Sequence, residues 1–168
     1  RVEAGSIAAE LSDINISVIA ADSAELYEPV AEEAGQTMIC EVSPGLSVRG
    51  NRELVGQAIS NLIDNAIKYG GQGEAGSEIR VRVSRGTDGV EISVSDEGPG
   101  VPADKRAEVV KRFVRLDKSR SKPGTGLGLS LVEAIMALHG GRLQLTDTRS
   151  HANYPGLTAT MVFPGMRS

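Results

Sequence analysis

The stretch Asn61-Leu-Ile-Asp-Asn65-Ala-Ile-Lys68-Tyr69 decides the fold of this chain. It lies in the most regular segment of the sequence, in which apolar residues repeat in two parallel i, i+4 rows. The rows are Leu54, Ala58, Leu62, Ala66 and Val55, Ile59, Ile63, Ile67. This spacing predicts an amphipathic helix that packs one face on a core and that Asn51 caps at its start.

Three polar side chains of this helix share one narrow arc beside the apolar rows. At about 100° per residue, Asn61, Asn65 and Lys68 lie on one side of the helix, at the rim of the core where a ligand can reach them. A carboxamide oxygen suits Mg²⁺ that already carries phosphate oxygens, and Lys68 supplies positive charge for phosphates. The alternative is a solvated polar face, and this segment alone does not separate the two.

A second polar segment, Asp96-Glu-Gly98-Pro-Gly100, ends a predicted strand. A carboxylate in this place can accept a hydrogen bond from an exocyclic amine such as that of adenine. The glycines let the backbone approach a flat ring closely. In isolation the segment is better explained as an ordinary surface turn.

The third segment is the glycine-rich loop Gly124-Thr-Gly126-Leu-Gly128-Leu, which opens a helix. Free N–H groups at a helix start bind phosphate, although a flexible hinge is also compatible with this composition. The segment fits neither a P-loop nor a Rossmann fingerprint. Together with the amide and carboxylate segments, it predicts a pocket for a nucleotide with a metal on its phosphates. The polar stretch 97–126, with one helical piece around Lys105–Phe113, is predicted to be its lid.

The remaining elements are predicted from periodicity and turn residues. Helices are expected over Arg1–Leu11, within Asp13–Gly35 (capped by Asp22 or Ser23 and stopped by Gly35) and from about Leu127 to Leu138. Strands are expected at Thr37–Val42, Leu46–Arg49, Glu78–Ser84, Val90–Ser95, Arg142–Asp147 and Leu157–Phe163. This order predicts an α+β fold with helices on one face of a mixed sheet.

Composition excludes several classes of protein. The chain has 168 residues, 3% aromatics and a net charge of −4, which argues against non-specific nucleic-acid binding. Its apolar runs are shorter than the roughly 20 residues of a membrane span. The single cysteine, Cys40, is predicted to be a small buried residue. His139 and His151 lack a partner at a useful spacing and are interpreted as structural.

The motifs resemble the ATP-binding catalytic domain of a sensor histidine kinase, within the wider family that includes gyrase, Hsp90 and MutL. Asn61–Tyr69 resembles the N box, Asp96–Gly100 the G1 box, 111–120 the F box and Gly124–Gly128 the G2 box. The resemblance covers about Asp13 to Pro164. It implies the Bergerat fold, a two-layer α/β sandwich whose mostly antiparallel sheet is covered on one face by helices. Residues 1–12 are then the end of a preceding dimerisation helix or linker, and residues 13–168 the ATP-binding domain.

The same resemblance implies roles for individual residues. Asn65 would hold Mg²⁺, Asn61 and Lys68 would lie near the phosphates, Tyr69 would flank the nucleotide and Asp96 would fix adenine. Phe113 would anchor the lid, and either Arg115 or Arg120 would reach the γ-phosphate. The catalytic residues by this resemblance are Asn61, Asn65, Lys68 and Arg115. The remaining ATP-site residues by this resemblance are Gly98, Gly100, Val101, Gly124, Thr125, Gly126, Leu127, Gly128 and Leu129.

Two departures refine the expected activity. Related ATPases generally carry Glu where Asn61 stands, and an amide cannot take a proton from water, which favours the histidine-kinase branch. Leu157 follows Gly156 where many relatives have Ser or Thr, so a water-mediated adenine contact is either missing or moved to Thr158.

The implied function is transfer of the γ-phosphoryl of Mg-ATP to a histidine of a separate dimerisation domain, in two-component signal transduction. The chain lacks the acceptor motif, a His followed by an acidic residue. The implied partners are that acceptor domain and a cognate response regulator, and the fragment is expected to be monomeric and cytoplasmic. The resemblance is compatible with a parent protein anchored in the inner membrane. The alternative is a non-catalytic nucleotide-binding regulator that acts by association.

Overall fold

Five strands form the main sheet. The computed structural model describes residues 11–70, 77–107, 128–149 and 155–165. The strands lie side by side in the order β2 (Thr37–Val42), β4 (Glu78–Arg85), β5 (Val90–Ser95), β7 (Thr158–Val162) and β6 (Arg142–Thr146). β2 and β4 are parallel, and the other three pairs are antiparallel. The predicted mixed, mostly antiparallel sheet is therefore confirmed.

Three long helices cover one face of this sheet. α1 (Ile16–Glu33) lies over β2 and β4, α2 (Arg52–Gly70) lies between α1 and α3 over β4 and β5, and α3 (Gly128–Leu138) contacts β6. The core between the two layers is aliphatic, and its largest buried side chains include Ile59, Ile63, Ile79, Ile92 and Met161. The α+β class and the two-layer arrangement are confirmed. Within the described residues, no helix is long and apolar enough to cross a membrane.

A small two-stranded sheet precedes α1. β1 (Ser12–Asn15) pairs antiparallel with β3 (Ser47–Gly50), with Ile14 opposite Val48. The sequence predicted β3 one residue early and missed β1, because four residues are too few to show alternation.

The start of α1 differs from the prediction. The carboxamide of Asn15 caps the helix by accepting a hydrogen bond from the Val18 N–H at 3.0 Å. The predicted caps, Asp22 and Ser23, lie inside the helix and are wrong. The helix reaches back to Ile16 because Ile16, Ile19 and Ala20 extend its buried face. Its end agrees with the prediction, since Gly35 adopts a φ of 79° just beyond it.

Cys40 is another correction. Its Cα pairs with that of the buried Val81, yet Cys40 itself is exposed. The difference arises because β2 is an edge strand of the sheet and has no neighbouring strand on one side.

Candidate functional site

Asp96 follows β5 and is only 7% exposed. One carboxylate oxygen, Oδ1, accepts hydrogen bonds from the N–H of Gly98 at 2.9 Å and from the N–H of Leu157 at 3.1 Å. Among the described residues, none donates a hydrogen bond to Oδ2. Burial raises the pKa of Asp96 above its ordinary value, and the two backbone hydrogen bonds offset part of that shift. The carboxylate is thus fixed in orientation, with one oxygen left to accept a bond from a ligand.

Glycines bring the end of α2 against the turn that follows Asp96. A Cβ built on Gly98 would lie 2.7 Å from the Cα of Gly70 and 2.8 Å from the carbonyl oxygen of Tyr69. A Cβ built on Gly70 would in turn meet the side chain of Asp96. Only glycine fits at either position, and this contact joins the amide-bearing helix to the carboxylate.

The polar arc of α2 lies where the sequence predicts it. Asn61, Asn65, Lys68 and Tyr69 are all half-buried, between the buried apolar rows and solvent. Lys68 is not an isolated cation, because its Nζ lies 3.1 Å from the carboxylate of Asp64, one helical turn earlier. The Asp64 carboxylate therefore offsets part of the positive charge that Lys68 would offer to a phosphate.

The turn after Asp96 is also held by the two residues that precede β7. Gly156, with a φ of 73°, donates its N–H to the carbonyl of Gly98 at 2.8 Å, and Asp96 donates its N–H to the carbonyl of Leu157 at 3.0 Å. Gly100 has a φ of 77°, and a Cβ built on it would lie 2.7 Å from the carbonyl oxygen of Gly156. Sequence reasoning did not assign Gly70 or Gly156 to the site, although their place beside polar loops was a usable signal.

The hydroxyl of Thr158 is engaged elsewhere. It lies 2.9 Å from the hydroxyl of Ser95 and 2.9 Å from that of Thr148. Ser95 and Thr158 are cross-strand partners, one residue out of phase with the inward-facing Val94 and Ala159. Thr158 thus belongs to the sheet face opposite the helices, away from the Asp96 side chain. The Thr158 hydroxyl is therefore not placed to substitute for a hydroxyl at position 157.

Part of the predicted site lies outside the described residues. This applies to Phe113, Arg115, Arg120 and Gly124–Leu127, and to most of the predicted lid. Within the described residues, Val101 is half-buried, Leu129 is buried and Gly128 begins α3. Because α3 packs along α2, the residue that follows the glycine loop enters the same helical layer as Asn61 and Asn65.

The carboxamide oxygens of α2 suit a metal ion whose other ligands come from a bound phosphate and from water. Within the described part of the chain, no group of three or more His, Cys, Asp or Glu residues is placed to hold a metal ion. A half-buried carboxamide such as Asn65 is a neutral oxygen donor, which suits Mg²⁺ already bound to phosphate oxygens and water.

Comparison with known proteins gives this arrangement a class. Residues 50–166 match the family described as histidine kinase-, DNA gyrase B- and HSP90-like ATPases, and the chain belongs to this family. The chain is 40% identical over 125 residues to the signal transduction histidine-protein kinase/phosphatase MprB of Mycolicibacterium smegmatis. That match covers 73% of this chain but only 25% of the relative, so the chain spans about a quarter of that protein.

Solved structures agree with this assignment. A mycobacterial sensor histidine kinase MprB structure superposes with a TM-score of 0.78 at 29% identity, covering 94% of this chain and 99% of that one. Full-length ShkA in complex with AMPPNP gives a TM-score of 0.73 at 27% identity, covering 94% of this chain and 32% of that one. The resemblance to the catalytic, ATP-binding domain of a sensor histidine kinase is confirmed.

Proposed function

We propose that this domain binds Mg-ATP and donates the γ-phosphoryl group to a histidine on a separate dimerisation domain, as part of two-component signal transduction. The observation that carries the proposal is the oriented, buried carboxylate of Asp96 in contact with the end of the helix that bears Asn61 and Asn65. The AMPPNP complex of the similar ShkA structure supports ATP as the ligand.

Each part of the site then has a role. Asp96 accepts a hydrogen bond from the exocyclic amine of adenine, with Gly98, Gly100 and Val101 beside the ring. Asn65 is the Mg²⁺ ligand, and Asn61, Lys68 and Tyr69 line the nucleotide. The roles of Phe113, Arg115, Arg120, the loop Gly124–Leu127 and its continuation Gly128–Leu129 follow the motif assignment. Bound Mg²⁺ supplies charge neutralisation on the phosphates.

The site has a carboxamide, that of Asn61, at the position where a hydrolase would need a general base. Asn61 occupies the position where related ATPases carry Glu, and its amide does not accept a proton. Phosphoryl transfer depends mainly on positioning and electrostatics, so this site favours transfer to an acceptor brought to it over hydrolysis. His139 is 6% exposed with both ring nitrogens bonded, and it is not an accessible acceptor.

The proposal extends to the parent protein. A dimerisation domain supplies the acceptor histidine, and the residues before β1 are the end of its helix or of a linker. A cognate response regulator takes the phosphoryl group from that histidine. The domain works on the cytoplasmic side, and the parent protein is anchored in the inner membrane.

The test supplies the missing acceptor. The chain is mixed with γ-labelled Mg-ATP and a separately produced dimerisation hairpin of the parent protein that carries the acceptor histidine. We expect acid-labile phosphohistidine on the hairpin only, and none with the Asn65→Ala variant. The control is Asn15→Ala, which removes the cap of α1, a helix that bears none of the proposed site residues. This variant should leave the labelling of the hairpin unchanged. Nucleotide binding without any labelling of the hairpin would instead support a regulator that acts by association.

A further inference from the structure

We propose that Arg106, with Asp147 as its partner, is a positioning residue for nucleotide binding. It does not contact the nucleotide but fixes the far end of the turn that begins at Asp96. This inference rests on the proposed nucleotide site and adds two residues that neither the motifs nor the family resemblance assign to it.

One guanidinium joins three segments of the chain. Nε of Arg106 donates to the carbonyl of Val101 at 3.0 Å, Nη1 donates to the carbonyl of Leu145 at 3.3 Å, and Nη2 donates to Oδ1 of Asp147 at 2.6 Å. Leu145 is in β6 and Asp147 follows it, whereas Val101 follows the glycine turn. The side chain of Arg106 therefore ties the segment after Gly100 to the edge strand of the sheet.

This group is better shielded than an ordinary surface ion pair. The side chains of Arg106 and Asp147 are 21% and 36% exposed, compared with 52% and 58% for the Arg142–Asp88 pair at the other end of β6. Partial burial reduces solvent screening, and the rigid planar guanidinium holds several separated acceptors in a fixed geometry, whereas a lysine ammonium is a compact point charge. We therefore expect the Arg106 contacts to impose a defined conformation on the Val101 segment.

That segment is one wall of the proposed adenine site. The turn is held at Gly98 by the N–H of Gly156, and Arg106 holds it again at Val101. A site that is fixed before binding loses less conformational entropy when the ligand arrives. Releasing Val101 should consequently weaken nucleotide binding, although the hydrogen bonds to Asp96 remain.

The experiment measures ADP binding by titration calorimetry, with Mg²⁺, at a temperature where circular dichroism shows every variant to be folded. We expect Arg106→Lys, which keeps the charge, to weaken ADP binding by about tenfold. Asp147→Asn should weaken it less, because Arg106 retains both carbonyl contacts. The matched control Arg142→Lys, at the other end of the strand to which Arg106 binds, should bind ADP as the wild type does.

A spectroscopic readout separates positioning from a general loss of stability. In ¹⁵N–¹H spectra without nucleotide, Arg106→Lys should shift the amides of Gly98, Gly100 and Val101 and leave those of Val83 and Ile92 in place. Wild-type ADP affinity in both Arg106→Lys and Asp147→Asn would overturn the inference. Lack of ADP binding by the wild type would instead overturn the proposed function. If Arg106→Lys is unfolded at the assay temperature, the result with Asp147→Asn decides.

Discussion

Gly70 and Asp96 touch so closely that a methyl group on Gly70 would lie 2.3 Å from the Cβ of Asp96. Gly70 is the last residue of α2, and Asp96 is the first residue after β5. The helix that carries the amides and the strand that delivers the carboxylate are therefore in direct contact. The position of one half of the site depends on the position of the other.

Replacing Gly70 tests this dependence. Gly70→Ala places a methyl group in the space of the buried Asp96 side chain, so we expect a loss of stability of about 1–3 kcal/mol and weaker ADP binding. Urea unfolding and calorimetry measure the two effects. Gly56→Ala is the matched control on the same helix, because its nearest neighbour would be Ile19 Cγ2 at 3.9 Å. The control should be neutral or more stable by about 0.5–1 kcal/mol. Equal ADP affinity in both variants would contradict the proposed contact between the two halves.

Asp96→Asn should separate affinity from stability. The amide oxygen can still accept the hydrogen bonds from Gly98 and Leu157, so the fold is retained. Loss of the charged acceptor should weaken ADP binding by about 1.5–3 kcal/mol. Without nucleotide, the variant should be as stable as the wild type or more stable, because burying a neutral amide costs less free energy than burying a carboxylate. Asp88→Asn, at an exposed ion pair, is the control, and identical ADP titrations for Asp96→Asn and wild type would remove Asp96 from its role.

The raised pKa of Asp96 gives a pH dependence of defined sign. Because burial raises this pKa, the folded protein holds the Asp96 proton more strongly than the unfolded chain does. The resulting contribution to stability is complete below about pH 4, the ordinary carboxyl pKa, and is lost as pH rises through the raised value. The stability of the wild type should thus fall relative to Asp96→Asn as pH rises from about 4 through the raised pKa, while ADP affinity rises. Urea unfolding of both proteins across this range measures the difference, and a constant difference would refute the prediction.

His139 should affect stability and leave nucleotide binding unchanged. Its Nε2 accepts the N–H of Asn51 at 3.1 Å, its Nδ1 lies 2.7 Å from the carbonyl of Ile135, and its ring packs edge-on against Phe163. His139→Leu removes the acceptor of the partly buried Asn51 N–H and the buried hydrogen bond to the Ile135 carbonyl, so we expect a loss of about 1–3 kcal/mol in urea unfolding. Asn51 caps α2 at the end opposite Gly70, so the ADP affinity should not change. Weaker ADP binding without a loss of stability would place His139 in the nucleotide site instead.

Local signals in the sequence were sufficient for α2 and the central hairpin. Asn51 caps α2 as predicted, its Oδ1 accepting the Leu54 N–H at 3.0 Å, and β5 has the predicted bounds. Strong periodicity and a capping residue specify such elements without tertiary information. The polar arc of Asn61, Asn65 and Lys68 was predictable for the same reason.

Contacts between distant segments were not predictable in this way. The bonds from Arg106 to Leu145 and Asp147 span 39 and 41 residues, and no local pattern marks either end. The exposure of Cys40 depends on the place of β2 at the sheet edge, which alternation within one strand does not reveal. The sequence does not single out Asn15 as the cap of the first helix, because Asp22 and Ser23 are equally good capping residues and only the packing of Ile16 decides between them.

The strand order has a consequence for synthesis of the protein on the ribosome. β7 is the last described strand in sequence, yet it lies inside the sheet between β5 and β6. A nascent chain that stops before Leu157 lacks the N–H of that residue, which donates a hydrogen bond to Asp96. It also lacks β7, the strand that pairs with β5. The nucleotide site therefore becomes complete only when translation has passed β7 and that strand has left the exit tunnel.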